Sequence, residues 1–85
     1  FARLWAQIAN DLGRIDSDLV VFEILNEPNS DLTVELWNEL QPFLARALRS
    51  AADNLIVATG ANFSSIDGLL RVAPVNVSNV TYSFH

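Results

Sequence analysis

Leu19-Val20-Val21-Phe22-Glu23-Ile24-Leu25 is a continuous apolar run interrupted only by Glu23, and Asn26-Glu27-Pro28-Asn29 ends it abruptly. An apolar run that does not alternate with polar residues is the pattern of a parallel strand covered on both faces. Parallel neighbours are joined by crossovers of about a dozen residues or more, usually helical. This one stretch therefore predicts helices on either side of it and further strands beyond them.

The flanks agree. Phe1, Leu4, Trp5, Ile8 and Leu12 recur at helical spacing, and Gly13 stands where a left-handed C-terminal cap is expected. Ser30 and Asp31 are cap residues for a second helix, in which Leu36, Trp37, Leu40, Phe43, Leu44, Ala47, Leu48 and Ala51 recur at three and four. Glu35 and Glu39 come early in it and Arg46 and Arg49 late, which suits the helix dipole. Pro42 removes the hydrogen bond to the Asn38 carbonyl and predicts a kink. Leu55–Thr59 is a second buried strand ended by Gly60, Ser64-Ser65-Ile66-Asp67 opens a short helical turn carrying Leu69 and Leu70, and Val80–Phe84 is a third strand. Helix, strand, helix, strand, short helix, strand is α/β architecture with parallel neighbours.

No internal repeat, low-complexity tract or linker divides the chain, so residues 1–85 form one domain or part of one. Three parallel strands with helices on one face leave two open edges and an uncovered face. A closed eight-stranded barrel takes about 250 residues, roughly three times this length. With Phe1 opening directly on a helix and His85 following a strand, the expectation is the central part of a (β/α)8 TIM barrel, truncated at both ends.

Charge and composition exclude several functions. A net charge of −5, with five Arg and no Lys, offers no basic patch for a phosphate backbone, so nucleic acid is not an expected partner. No apolar run approaches the ~20 residues of a membrane span. The chain has no Cys and one His, which leaves neither a thiolate nucleophile nor a multi-His metal site, and no cofactor or metal is expected. The serines have only His85 as a base and no oxyanion motif, which disfavours a serine hydrolase.

The chemistry-bearing string is Asn26-Glu27-Pro28, at the carboxyl end of a buried strand, where α/β folds bind their ligands. A carboxyl group held there beside apolar Ile24 and Leu25, and partly removed from water, can serve as a general acid. An isolated Asn-Glu-Pro is more often an ordinary polar strand end or turn. Glu23, inside the strand, is expected to be a structural acid paired with an Arg or hydrogen-bonded in the core, because a lone buried charge is costly. Trp5 and Trp37 lie on apolar helix faces and are expected to be packing residues.

Phe22–Asn29, Trp37-Asn38-Glu39-Leu40, Thr59-Gly60-Ala61-Asn62-Phe63 and Tyr82-Ser83-Phe84-His85 together resemble glycoside hydrolase family 5, the cellulase family. Their order and spacing are similar to the stretch from the helix before strand four to the end of strand six of its barrel. The resemblance implies a retaining glycosidase using two carboxylates, with Glu27 as acid/base, Asn26 binding the sugar 2-hydroxyl and His85 positioning substrate. It places the nucleophilic Glu on strand seven, beyond this segment. Phe63 stands where many relatives carry Trp, and Asn62 shares its loop, so both are candidate substrate contacts, with a turn-forming role as the alternative for Asn62. The implied activity is endo-β-1,4-glucan hydrolysis, with β-mannan or another β-glycan as the alternative substrate and a catalytically silent carbohydrate-binding relative as the alternative class. The substrate class further implies a secreted parent enzyme, which is expected to be a monomer, and the isolated segment is expected to be inactive. A self-sufficient small interaction domain is disfavoured by the uncapped strands.

Overall fold

In the computed structural model, which describes residues 1–29 and 31–85, the two long helical patterns become α1 (Ala2–Leu12) and α2 (Val34–Ala51). The strands β1 (Phe22–Glu23), β2 (Ile56–Thr59) and β3 (Val80–Ser83) form one parallel sheet in the order β1-β2-β3. Phe22 pairs with Ile56 and Ile56 with Val80, and the ladder continues to Thr59 opposite Ser83. Between β2 and β3 lie α3 (Ala61–Ser64), a single irregular turn, and α4 (Ile66–Leu70). The expected alternation of helices and parallel strands is the observed one, and all three strands end on the same side. No helix among the described residues is long and apolar enough to cross a membrane.

The core is built on one face of the sheet. Phe22, Ile24, Ile56 and Ala58 are buried there with Ala9 of α1 and Trp37, Leu44, Ala45 and Leu48 of α2. Trp5 sets its ring edge-on to Phe22 and donates from Nε1 to the Ile24 carbonyl at 3.2 Å, so both tryptophans are packing residues as expected. The first strand departs from expectation in two ways. Its ladder covers two residues rather than the whole run from Leu19, and its burial alternates, with Val21 and Glu23 exposed on either side of buried Phe22. Helices cover only one side of the sheet, so the other side of β1 meets solvent. Glu23 lies on that open side and has no ion pair among the described residues.

Thr33, rather than Asp31, caps α2, its Oγ1 accepting from Leu36 N at 3.2 Å; Ser30 lies outside the described residues. The helix continues through Pro42 to Ala51. Its buried face is also rotated from the predicted one. Leu36 and Phe43 are exposed, whereas the polar Gln41 is fully buried. Gln41 Oε1 accepts from Thr59 N at 2.8 Å, its Nε2 donates to Thr59 O at 2.9 Å, and Trp37 Nε1 donates to the same carbonyl at 2.8 Å. A helix side chain thus satisfies both backbone polar groups of Thr59, the last residue of β2. Replacing Gln41 by leucine in the full-length protein is expected to cost about 1–3 kcal/mol, the usual cost of stranding a buried amide. Equilibrium urea unfolding measures it, and an unchanged midpoint would count against this reading.

At the far end of α2, Arg49 donates to Ala52 O at 2.8 Å and to Asn79 O at 3.2 Å, joining the helix terminus to the residue before β3. Gly13 is right-handed (φ −66°), not the left-handed cap expected. Its use is close approach, since a Cβ there would lie 2.7 Å from the Ala52 Cβ. Gly60 and Gly68 serve the same purpose where it matters more for the site: a Cβ on Gly60 would overlap the Gly68 carbonyl carbon and the Leu69 nitrogen, so the exit of β2 lies directly against α4.

Candidate active site

Beyond β1 the chain buries Ile24, exposes Asn26 and Glu27, and buries Pro28 again, with Glu27 in the left-handed region at φ 47°. Beyond β2, Asn62, Phe63 and Ser64 are all left-handed, at φ 56°, 59° and 58°. Each such non-glycine residue costs roughly 1–2 kcal/mol. A run of them persists only where the surroundings over-determine it, and strain of this kind clusters at functional sites. The bonds that hold it are specific. Phe63 N donates to Pro28 O at 2.7 Å, Ser64 Oγ accepts from Glu27 N at 3.2 Å, and Ser64 O accepts from His85 N at 2.8 Å. The carboxyl ends of all three strands are therefore tied together at Ser64, which is completely buried.

On the solvent side of this knot, His85 Nδ1 lies 2.9 Å from Glu27 Oε1 across a separation of 58 residues. The two side chains are about half exposed, at 42% and 48%, and the contact is an ion pair when the imidazole carries its proton. The desolvation expected for Glu27 is not supplied by these residues, because Ile24 points into the core beneath the sheet rather than toward the carboxylate. Asn26, next to Glu27, is exposed, and its side chain makes no hydrogen bond among the described residues. Phe63 holds its ring half in solvent at the same strand ends. Asn62 instead directs Nδ2 toward Ser65 Oγ at 3.5 Å, and that hydroxyl caps α4 by accepting from Gly68 N. Its side chain thus serves the turn, not the Glu27–His85 pair.

Glu27 and His85, which the family resemblance implies share a site, are in contact, whereas Ser64, expected only to open the short helix, is the residue that joins the strand ends. No cluster of three His, Cys, Asp or Glu side chains suited to a metal occurs among the described residues.

A carboxyl group in contact with an imidazole at the carboxyl ends of parallel strands is the layout of the ligand-facing side of an α/β enzyme. The family model for cellulase, glycosyl hydrolase family 5, matches residues 1–85, and the chain belongs to that family. It is 30% identical over its whole length to cellodextrinase A of Ruminococcus flavefaciens, of which it covers 25%. It superposes on endoglucanase Cel5A of Thermotoga maritima with a TM-score of 0.90 and 32% identity, covering 99% of this chain and 28% of that one. The cellulose synthase subunit Z of Clostridioides difficile gives 0.90 and 34% with the same coverage. The T. maritima enzyme has also been solved with cellobiose and with mannotriose. The chain therefore spans about a quarter of the length of these relatives, and its sheet and helices are part of a (β/α)8 barrel.

Proposed function

We propose that this chain is the central part of a (β/α)8 catalytic domain that hydrolyses internal β-1,4 bonds of glucan with retention of configuration, and that Glu27 is its general acid/base. Family membership supports glycoside hydrolysis. The observation that carries the assignment of Glu27 is its contact with His85 at 2.9 Å on the open side of the strand ends.

In the proposed first step the Glu27 carboxyl gives its proton to the glycosidic oxygen while a carboxylate from strand seven, outside these residues, bonds to the anomeric carbon. The C–O bond breaks and the leaving sugar departs as a neutral alcohol carrying that proton. In the second step Glu27, now a carboxylate, takes a proton from water as the water oxygen displaces the enzyme carboxylate and restores both groups. The two carboxyl groups of a retaining enzyme stand about 5–5.5 Å apart. His85 keeps the Glu27 carboxyl oriented, Asn26 offers its amide to the 2-hydroxyl, and the exposed ring of Phe63 offers a stacking face. A polymeric substrate places the monomeric enzyme outside the cell.

The cellobiose complex of the T. maritima relative supports glucan as substrate, and its mannotriose complex favours β-mannan as the second reading. Reducing-sugar release and viscosity loss on soluble cellulose and on mannan, measured with the full-length protein, separate them. Release from mannan alone would replace the first reading by the second, and release from neither would refute both. Proton NMR of the nascent product should show the β-anomer first; an initial α-anomer would rule out retention.

A further inference from the structure

We infer that Ser64 is a positioning residue for the acid/base: its hydroxyl and its carbonyl fix the backbones of Glu27 and His85 so that the two side chains meet. The inference rests on the reading of Glu27 given above and extends it to a residue 37 positions away in sequence that touches neither the substrate nor the reacting atoms.

Three observations carry it. Ser64 is fully buried between the strand ends, so what it touches is held rigidly. It has one bond to each member of the pair, Oγ accepting from Glu27 N at 3.2 Å and the carbonyl accepting from His85 N at 2.8 Å. It also stands at φ 58°, a conformation glycine adopts at no steric cost, yet carries a side chain there. A glycine would keep the carbonyl bond to His85 and relax the backbone, so the serine is distinguished only by its hydroxyl, and that hydroxyl is engaged by the amide of Glu27. Glu27 is itself left-handed, at φ 47°. Its peptide needs an external partner to stay there, and Ser64 Oγ is that partner. Once the amide is released the Glu27 carboxyl can drift from His85, and displacement by about an ångström is enough to cost up to ~100-fold in a proton transfer that depends on alignment.

The test uses Ser64→Gly and Ser64→Ala in the full-length enzyme, with Glu27→Ala alongside, on two substrates: an unactivated oligosaccharide, whose departure needs a proton from Glu27, and a dinitrophenyl glycoside, whose departure does not. Ser64→Gly is expected to retain or raise Tm while losing about 10–100-fold in kcat on the oligosaccharide. KM on the oligosaccharide should stay near wild type. The formation of the glycosyl-enzyme from the dinitrophenyl glycoside, followed as a pre-steady-state burst, should be little changed. Ser64→Ala should show the same split between substrates with a lower Tm, since it keeps the Cβ at an unfavourable φ. Wild-type kcat on the oligosaccharide in Ser64→Gly overturns the inference, as does a loss that is equal on both substrates and tracks Tm in the two variants, which would make Ser64 a folding residue only. If Glu27→Ala is itself fully active, the acid/base reading has failed; if Glu27→Ala is crippled and Ser64→Gly is not, only the inference about Ser64 has.

Discussion

Replacing Glu27 by alanine in the full-length enzyme is expected to slow hydrolysis of polymeric β-glucan about 10²–10⁴-fold, the span that a positioned acid/base contributes. The loss should depend on the leaving group. A sugar hydroxyl leaves poorly without a proton, whereas a dinitrophenolate leaves unaided, so an activated aryl glycoside should still load the enzyme. Deglycosylation then stalls, because no base remains to deprotonate water. Azide needs no deprotonation, so adding it should restore turnover and yield the β-glycosyl azide. Rates near wild type on polymeric glucan would remove Glu27 from the role, and a crippled variant that azide does not rescue, even with an activated substrate, would assign it to something other than proton transfer.

Why this carboxylate was legible in the sequence, and its surroundings were not, follows from what each depends on. The strand before Glu27 is written in consecutive apolar residues, and its end is written in Asn26 and Pro28, which are local signals. The length of β1 is not local: its ladder extends only as far as Ile56 and Val57 supply partners. The environment of Glu27 is also not local. Ile24 is three residues away in sequence but is buried against the helices, while the group that meets the carboxylate is His85, 58 residues on. Apolar spacing located α2 but has no place for Gln41 on its buried face, because the demand Gln41 satisfies belongs to Thr59, 18 residues later. The left-handed turn is the extreme case. Asn62 tolerates that conformation, but Phe63 and Ser64 do not favour it, and only bonds to Pro28, Glu27 and His85 impose it. Elements were therefore readable from periodicity, and the arrangement of polar groups at the strand ends was not, since every bond that fixes it closes over a long stretch of chain.

Expressed alone, these 85 residues are expected to release no reducing sugar and to show no cooperative thermal transition. Chemistry fails for want of a second carboxylate aimed at the anomeric carbon. Glu35 and Glu39 lie on α2, and Asp67 on α4 is engaged with Arg71 at 3.1 Å. Folding fails because the core has one side only. Leu19, Val21 and Leu70 are 76%, 50% and 81% exposed, and Leu69, Val72, Pro74 and Tyr82 line an unfilled apolar hollow of about 380 Å³. Each β-strand at the rim of the sheet has one neighbour, and open edges of this kind invite pairing with another chain. Burying these surfaces is what further strands and helices of a barrel would do, at roughly 25 cal/mol for each Å² of apolar area covered. Circular dichroism on heating and size exclusion on the purified 85-residue chain decide the matter. Aggregation or a broad, non-cooperative melt is the expected result. A monomer that unfolds sharply would mean that Trp37, Leu44, Leu48, Phe22 and Ile56 suffice as a one-sided core, and sugar release from such a monomer would overturn the two-carboxylate mechanism along with it.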